Sequence, residues 1–120
     1  PIVKNGKLKL GDLEAKRDWG YAPDYVEIMW KILQYNQPDD FVVATGEVHT
    51  VREFAEAAFA VAGLNWEDYV EVDANFIPPV QTGPLVGDAS KIKKILGCEP
   101  KTKFKDLVKI MVHADLAKFS

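Results

Sequence analysis

The segment 25–33 restricts how this chain can fold more than any other. Seven of its nine residues are apolar or aromatic, and only Glu27 and Lys31 interrupt them. Together with Pro23, which the first turn of a helix tolerates, the segment predicts a helix over 22–35. A surface helix in a small domain usually has one apolar stripe of roughly 100° or a little more, and this apolar arc is wider. We therefore expect the helix to need cover on two sides.

The predicted helix 22–35 also indicates a partner. If the rest of the chain covers one side only, the other side is an apolar patch that monomers rarely leave exposed. We expect homo-oligomerisation, or docking of a missing N-terminal domain, through this helix. Met29 and Trp30 are expected to pack on one side, with Tyr25 or Ile28 directed towards the dimer or the missing domain.

Length and charge limit the class of protein. With 120 residues, of which 48% are hydrophobic and 28% charged, we expect one globular domain, residues 1–120. The formal net charge of −3 argues against binding to nucleic acid or to an anionic membrane, because both need a basic face. The single Cys98 cannot form an intrachain disulfide, and the sequence has no transmembrane segment or signal peptide. We expect a cytoplasmic protein.

The remaining hydrophobic pattern alternates between strands and helices and predicts a small α/β domain with a short sheet and about four helices. Thr50 and Glu53 stand at capping-box spacing, at the start of the most clearly marked helix. The predicted strands are 7–10, 41–46 and 69–73, and the further predicted helices are 50–63, 88–97 and 104–119.

The residue types that usually carry catalysis do not form a recognisable set. There is no Gly-rich dinucleotide or phosphate turn after a strand, no HExxH and no pair of cysteines. His49 and His113 have no evident partners, so we expect structural or solvent-exposed roles for both. Cys98 follows a helix end and lacks an adjacent base. We therefore predict no catalytic, cofactor-binding or metal-binding residues in this chain.

Lys16 and Arg17 form the most suggestive polar feature, in a predicted loop before the helix 22–35. An Arg in such a position suits two-pronged binding of a phosphate or a carboxylate. The alternative is a salt bridge from Arg17 to Asp18 or Asp12. The residue pattern leaves both interpretations open.

Several segments resemble the C-terminal part of GDP-mannose 4,6-dehydratases, which are extended short-chain dehydrogenase/reductases. The similarity covers nearly the whole chain, and "LEAKRDWGYAPDYVE" and "ATGEVHTVREF" are its most specific parts. The resemblance implies a smaller, substrate-binding domain that closes over a nucleotide sugar against a larger NADP-binding Rossmann domain. It also implies that Arg17, with Lys16 beside it, contacts the diphosphate, and that Leu10 and Gly11 line the nucleoside side of the cleft.

The chain departs from the family at one loop. Where the family reads close to "RPTEVDLLLGDASK", residues 78–91 read "PPVQTGPLVGDASK". Pro78 replaces an Arg expected to be a second cation on the diphosphate, which corresponds to a loss on the order of 1.5–3 kcal/mol. Gln81 replaces a Glu that could accept hydrogen bonds from a guanine edge, and Gly83 replaces an Asp. Binding of a GDP sugar is therefore expected to be weakened.

The functional expectation follows from the resemblance and from what the chain lacks. The family's Gly-rich cofactor turn and its Tyr-x-x-x-Lys pair have no counterpart here, and the chain starts at Pro1. We expect a fragment or truncated form that lacks the N-terminal NADP-binding domain, binds GDP-mannose and is inactive alone, whereas its parent enzyme would be a lyase. The alternatives are a stand-alone interaction or oligomerisation module that has lost nucleotide-sugar binding, and a domain of a related reductase or epimerase.

Overall fold

Two small sheets and four helices make up the part of the chain that the computed structural model describes, residues 3–4, 6–80 and 83–119. The chain thus has the small α/β architecture that its pattern predicted. Its strands are β1 Val3–Lys4, β2 Lys7–Leu10, β3 Lys16–Arg17, β4 His49–Thr50 and β5 Val70–Val72. Its helices are α1 Ala22–Leu33, α2 Val51–Val61, α3 Ser90–Leu96 and α4 Phe104–Phe119, with 3-10 turns at Trp66–Asp68 and Ala74–Phe76.

The larger sheet has the order β1-β2-β5. The first two strands are antiparallel, whereas β2 and β5 run parallel with Leu8 opposite Val70 and Leu10 opposite Val72. Strands were predicted at 7–10 and 69–73, and β2 and β5 confirm both. The parallel pairing needs a long crossover between the two strands, and that crossover contains α1 and α2.

The smaller sheet consists of β3 and β4, which pair antiparallel over two residues each. Backbone hydrogen bonds continue this contact beyond the ladder, from Val51 N to Ala15 O at 3.0 Å and from Arg52 N to Leu13 O at 2.9 Å. The sequence was expected to form a loop at residues 16–17. The structure corrects this to a short strand.

The core joins α1 to α3. Ile28 of α1, Ile92 of α3 and Cys98 are buried together, and partly buried side chains from α1, α3 and the segment 41–43 pack around them. A second packed region joins α2 to α4, where the rings of Phe54 and Phe104 lie 5.9 Å apart. Cys98 is therefore a core residue in this structure.

The outer face of α1 is apolar and exposed, as the width of its hydrophobic arc predicted. Val26, Met29, Trp30 and Leu33 are 63%, 58%, 62% and 79% exposed. These residues lie at positions i, i+3, i+4 and i+7, so they form one continuous stripe. The described chain covers the opposite side of the helix, where Ile28 is buried.

The expected assignment of the two faces was wrong, because Met29 and Trp30 point outwards while Ile28 packs inwards. Two contacts fix this orientation of α1. Asp24 accepts a hydrogen bond from Thr102 N at 2.8 Å and so holds the first turn against the segment before α4. The ring of Tyr25 occupies the space that a Cβ at Gly20 would fill. The contact with Thr102 is non-local, so the helical pattern alone does not contain it.

The predicted strand 41–46 was also wrong, since the described structure has no strand there. Phe41 and Val43 pack against the core and Val42 is exposed, so the side chains alternate as in a strand over these three residues, until Ala44, which is buried as well. A strand also needs a backbone partner. Here the amides of Thr45 and Gly46 instead donate to the carboxylate of Asp18.

The remaining helix predictions are confirmed with small changes at the ends. Helix α1 ends two residues before its predicted end. Helix α3 begins at Ser90, whose amide donates to Asp88, and it ends at Leu96, followed by Gly97 in the left-handed conformation. No helix in the described ranges is long and apolar enough to cross a membrane.

The capping box at the start of α2 supplies a direct test of the fold. Glu53 N donates to Thr50 Oγ1 at 3.1 Å, and the Glu53 carboxylate receives the amide of Thr50 in return. We expect Thr50→Ala to lower the free energy of unfolding by about 1 kcal/mol in urea titrations, because it removes this cap. Thr50→Ser keeps the hydroxyl and should stay close to the wild type. Equal losses in both variants would contradict a capping role.

Candidate functional site

Both predicted cations lie on β3. Lys16 is exposed and stands opposite Thr50, while Arg17 is half-buried and stands opposite His49. Since directly opposed side chains in an antiparallel pair point to the same face, Arg17 and His49 share one face of the small sheet.

The Arg17 guanidinium forms no ion pair within the described part of the chain. Its Nη1 donates to Lys16 O at 2.7 Å. The two acids that could have neutralised it have other partners: Asp12 Oδ1 accepts the amide of Glu14 at 2.9 Å, and Asp18 accepts from the 45–46 segment. The salt-bridge interpretation of Arg17 therefore does not describe this structure. Within the described residues, one of its five N–H donors is hydrogen-bonded, to Lys16 O.

Leu10 and Gly11, the expected nucleoside side, lie at the end of a strand of the other sheet. Leu10 ends β2, and its carbonyl accepts the amide of Asp73 at 2.7 Å. A Cβ on Gly11 would lie 2.5 Å from the carbonyl oxygen of Phe76, so glycine is needed there for close backbone packing. Within the described ranges, no hydrogen bond, ion pair or ring contact joins Leu10 or Gly11 to the cations on β3.

The altered positions of the loop that the structure describes have no packed role. Pro78 and Gly83 are exposed, and a Cβ on Gly83 would meet nothing within 4 Å. Gln81 lies outside the described residues. The predicted second cation position is therefore solvent-accessible at Pro78.

A cleft of about 420 Å³ lies next to the small sheet, between the end of β3, the segment before β4 and the starts of α3 and α4. Arg17 is not among its described lining residues, although its neighbour Trp19 and its cross-strand partner His49 are. Two cations, Lys93 and Lys103, also reach this cleft. The cleft thus borders the strand that carries Arg17.

His49 is the residue that sequence reasoning undervalued. Its Nδ1 lies 2.7 Å from a carboxylate oxygen of Glu53, and its ring stacks on Phe104 with centroids 3.8 Å apart. Nε2 is buried without a hydrogen-bond partner in the described residues, and Glu47 lies 3.7 Å away. The hydrogen bond from His49 is the main cause that lowers the pKa of Glu53. The i, i+4 spacing of His49 and Glu53 was the available signal.

The pKa of Tyr25, in the first turn of α1, is also shifted. Burial raises the pKa of Tyr25, and the negative charges of Asp18 and Asp24 raise it further. Tyr25 therefore stays in its neutral phenol form across the physiological range.

A family model described as GDP-mannose 4,6 dehydratase matches residues 2–111. The chain belongs to the GDP-mannose 4,6-dehydratase family. It is 56% identical over 110 residues to GDP-mannose 4,6 dehydratase 2 of Arabidopsis thaliana, with 92% of this chain and 30% of that protein covered. It is 45% identical over 126 aligned positions to the GDP-mannose 4,6 dehydratase of Homo sapiens, with 91% of this chain and 34% of the human protein covered. The chain thus spans about a third of the length of these family members.

Solved structures show the same fold. A Pseudomonas aeruginosa protein, RMD, solved with NADPH matches 98% of this chain and 38% of its own with a TM-score of 0.81 at 16% identity. A Thermotoga maritima UDP-glucose 4-epimerase solved with UDP-glucose matches 95% of this chain and 36% of its own with a TM-score of 0.80 at 22% identity. This chain and these two proteins therefore share a fold unit.

The packing at Gly11 can be tested separately from any binding role. We expect Gly11→Ala to lower the free energy of unfolding by about 1–3 kcal/mol, because the added methyl group overlaps the Phe76 carbonyl. Gly83→Ala, which adds a methyl group in open space, is the matched control and should change stability by less than about 0.5 kcal/mol. Urea unfolding measures both. An unchanged stability in Gly11→Ala would show that the close approach is not a constraint.

Proposed function

We propose that this chain binds the diphosphate of a nucleotide sugar, GDP-mannose in the first instance, through the Arg17 side of β3. It acts as the substrate-binding part of a larger GDP-mannose 4,6-dehydratase-type protein. The observation that carries the proposal is the Arg17 guanidinium, which is held on a strand and has no carboxylate partner among the described residues. Family membership supports the choice of nucleotide sugar.

The complete protein that we propose is a lyase, which removes water from GDP-mannose to give a 4-keto-6-deoxy sugar nucleotide. NADP would supply the internal hydride transfer in such a protein. The 120 residues contain no Gly-rich turn and no Tyr-x-x-x-Lys pair, so no part of that chemistry is assigned to them. The contribution proposed for this chain is binding and orientation of the diphosphate, and we expect the isolated chain to show no turnover.

Calorimetric titration of the chain with GDP tests the binding role. We expect weak binding that Arg17→Ala reduces about tenfold or more, because charge-assisted hydrogen bonds to phosphate contribute about 1.5–3 kcal/mol. Arg17→Lys should recover only part of the affinity, since an ammonium group lacks the two-pronged donor geometry. Lys109→Ala, which removes the same charge from the exposed surface of α4, should leave binding unchanged.

Parallel titrations separate the alternatives. Pro78→Arg restores the cation that the family loop carries and should tighten GDP binding. Binding of UDP or dTDP without GDP would indicate a domain from a related epimerase or reductase. If no nucleotide binds, or if Arg17→Ala changes nothing, the proposed binding role is wrong.

The exposed face of α1 favours a second candidate function, assembly. The chain exposes 8574 Å², whereas a compact monomer of 13.4 kDa exposes about 6,500 Å². Its extents of 56 × 38 × 20 Å describe a thin plate, and its radius of gyration of 17.2 Å exceeds the roughly 14 Å of a compact domain of this length. The accessible surface area in excess of that of a compact monomer is larger than the roughly 800 Å² that one partner buries in a standard interface.

We propose that the apolar stripe on α1 is an interface. In a protein as long as the relatives, it would pack against an NADP-binding domain, and in the isolated chain a second copy can take that place. The stripe of Val26, Met29, Trp30 and Leu33 supports this, because its four side chains are more than half exposed.

Sedimentation velocity over a range of micromolar concentrations tests this interface. We expect concentration-dependent self-association that Leu33→Glu abolishes, because burial of an unpaired charge in the interface is unfavourable in free energy. Leu64→Glu places the same charge on an exposed leucine outside α1 and should leave association intact. A monomer at all concentrations, with no binding of a hydrophobic dye, would contradict an interface on α1.

A further inference from the structure

The carboxylate of Asp18 makes an unusual set of contacts. It accepts hydrogen bonds from Thr45 N at 3.2 Å, from the Thr45 hydroxyl, and from Gly46 N at 3.0 Å. These donors lie 27 and 28 residues further along the chain, and the bonds to Thr45 are partly buried. One acidic side chain therefore joins the end of β3 to the segment that leads into β4.

This contact is one end of a frame, by which we mean the ladder of β3 and β4 together with the polar contacts that extend it at Ala15 and at Asp18. A ladder of two residue pairs is too short to be stable alone. At the Ala15 end, the backbone bonds from Val51 and Arg52 extend the contact. At the opposite end the backbone ladder stops, and the Asp18 carboxylate takes over the amides that a longer strand would have paired.

Arg17 lies between these two ends. Its cross-strand partner His49 is fixed by its bond to Glu53 and by stacking on Phe104, so β4 is held firmly against α2 and α4. On the other side of Asp18, Trp19 packs near the same phenylalanine, with ring centroids 6.0 Å apart. The backbone direction at Arg17 is thus set from both sides.

The same hydrogen bonds remove a competitor. A carboxylate next to a guanidinium in sequence would ordinarily be a candidate to neutralise it. Here the Asp18 oxygens are occupied by three donors from Thr45 and Gly46, and no ion pair joins Asp18 to Arg17 in the described chain. The guanidinium donors that are not bonded to Lys16 O are left for a ligand.

We infer that Asp18 is a positioning residue for Arg17. By accepting the donors of Thr45 and Gly46, it fixes the end of β3 and is itself kept from pairing with the guanidinium that binds the diphosphate. This inference rests on the proposed role of Arg17. It predicts an effect opposite in sign to simple electrostatics, in which removal of a negative charge beside an anion site strengthens binding.

GDP titration of Asp18→Asn tests the inference. The amide keeps the shape of the side chain but presents a single acceptor oxygen, so the frame loosens. We expect GDP affinity to fall about threefold to tenfold, even though a negative charge beside Arg17 has been removed. Asp115→Asn, which removes the same charge from exposed α4, should bind GDP as the wild type does. Tighter binding by Asp18→Asn would overturn the inference.

Variants of Thr45 provide an independent test that leaves Asp18 in place. Thr45→Val removes the hydroxyl donor, so Asp18 Oδ1 keeps only the Thr45 amide and holds the end of β3 less firmly. GDP affinity should therefore fall. Thr45→Ser keeps the donor and should restore wild-type affinity. If Asp18→Asn does not fold, this pair decides alone. Equal GDP affinity in the two Thr45 variants would contradict the inference.

These variants distinguish a failure of the proposed function of Arg17 from a failure of the positioning role of Asp18. If Arg17→Ala leaves GDP binding unchanged, the proposed function fails and Asp18 has nothing to position. If Arg17→Ala weakens binding while Asp18→Asn and Thr45→Val do not, only the positioning role fails. Hydrogen exchange of the Gly46 amide adds a structural readout, since its protection should fall in Asp18→Asn and stay unchanged in Arg17→Ala.

Discussion

The contact between β3 and β4 is the interaction on which the proposed site depends. It joins two regions of the chain that are about 30 residues apart in sequence, and its ladder has only two residue pairs. Polar contacts extend it: backbone bonds at Ala15 on one side and the Asp18 carboxylate on the other. Behind β4, His49 connects the strand to α2 and α4. This frame presents Arg17 as a cation without an acidic partner in the described residues.

Local signals in the sequence predicted much of the fold. The capping box of Thr50 and Glu53 and the glycine after α3 depend on neighbouring residues only, and the structure confirms both. The wide apolar arc of α1 was also a local property, so the exposure of apolar residues on one of its sides could be predicted from the segment 25–33 alone. Which side faces inwards depended in part on a distant contact, between Asp24 and Thr102, which the helical pattern does not encode.

The failures have a common physical cause. The segment 41–46 has the β-branched composition of a strand, yet its last amides bond to a side chain, Asp18, instead of a neighbouring strand. The stacking partner of His49, Phe104, lies 55 residues away, although its other partner, Glu53, was within reach of the sequence at i+4. The status of Arg17 was undecidable for the same reason, since the donors that occupy Asp18 come from Thr45 and Gly46. Pairings of this kind are settled by tertiary structure.

The outer face of α1 and the strand that carries Arg17 are two separate surfaces of this chain. The chain spans about a third of its family members, and its plate-like shape leaves an apolar stripe exposed on α1. Arg17 has no acidic partner within the ranges that the structure describes, and α1 has an exposed apolar face. Both are features that a further binding partner would complete. The nucleotide-sugar diphosphate and a protein surface are the two partners that we propose.

Amide chemical shifts of the ¹⁵N-labelled chain, recorded with GDP and separately with guanosine, test the central proposal most directly. We expect GDP to shift the amides of β3 and β4, and of the segment from Thr45 into β4, because the diphosphate binds at Arg17. Guanosine lacks the phosphates and should leave these amides unchanged. Equal shifts with both compounds, or shifts confined to elements other than β3 and β4, would contradict diphosphate binding at Arg17.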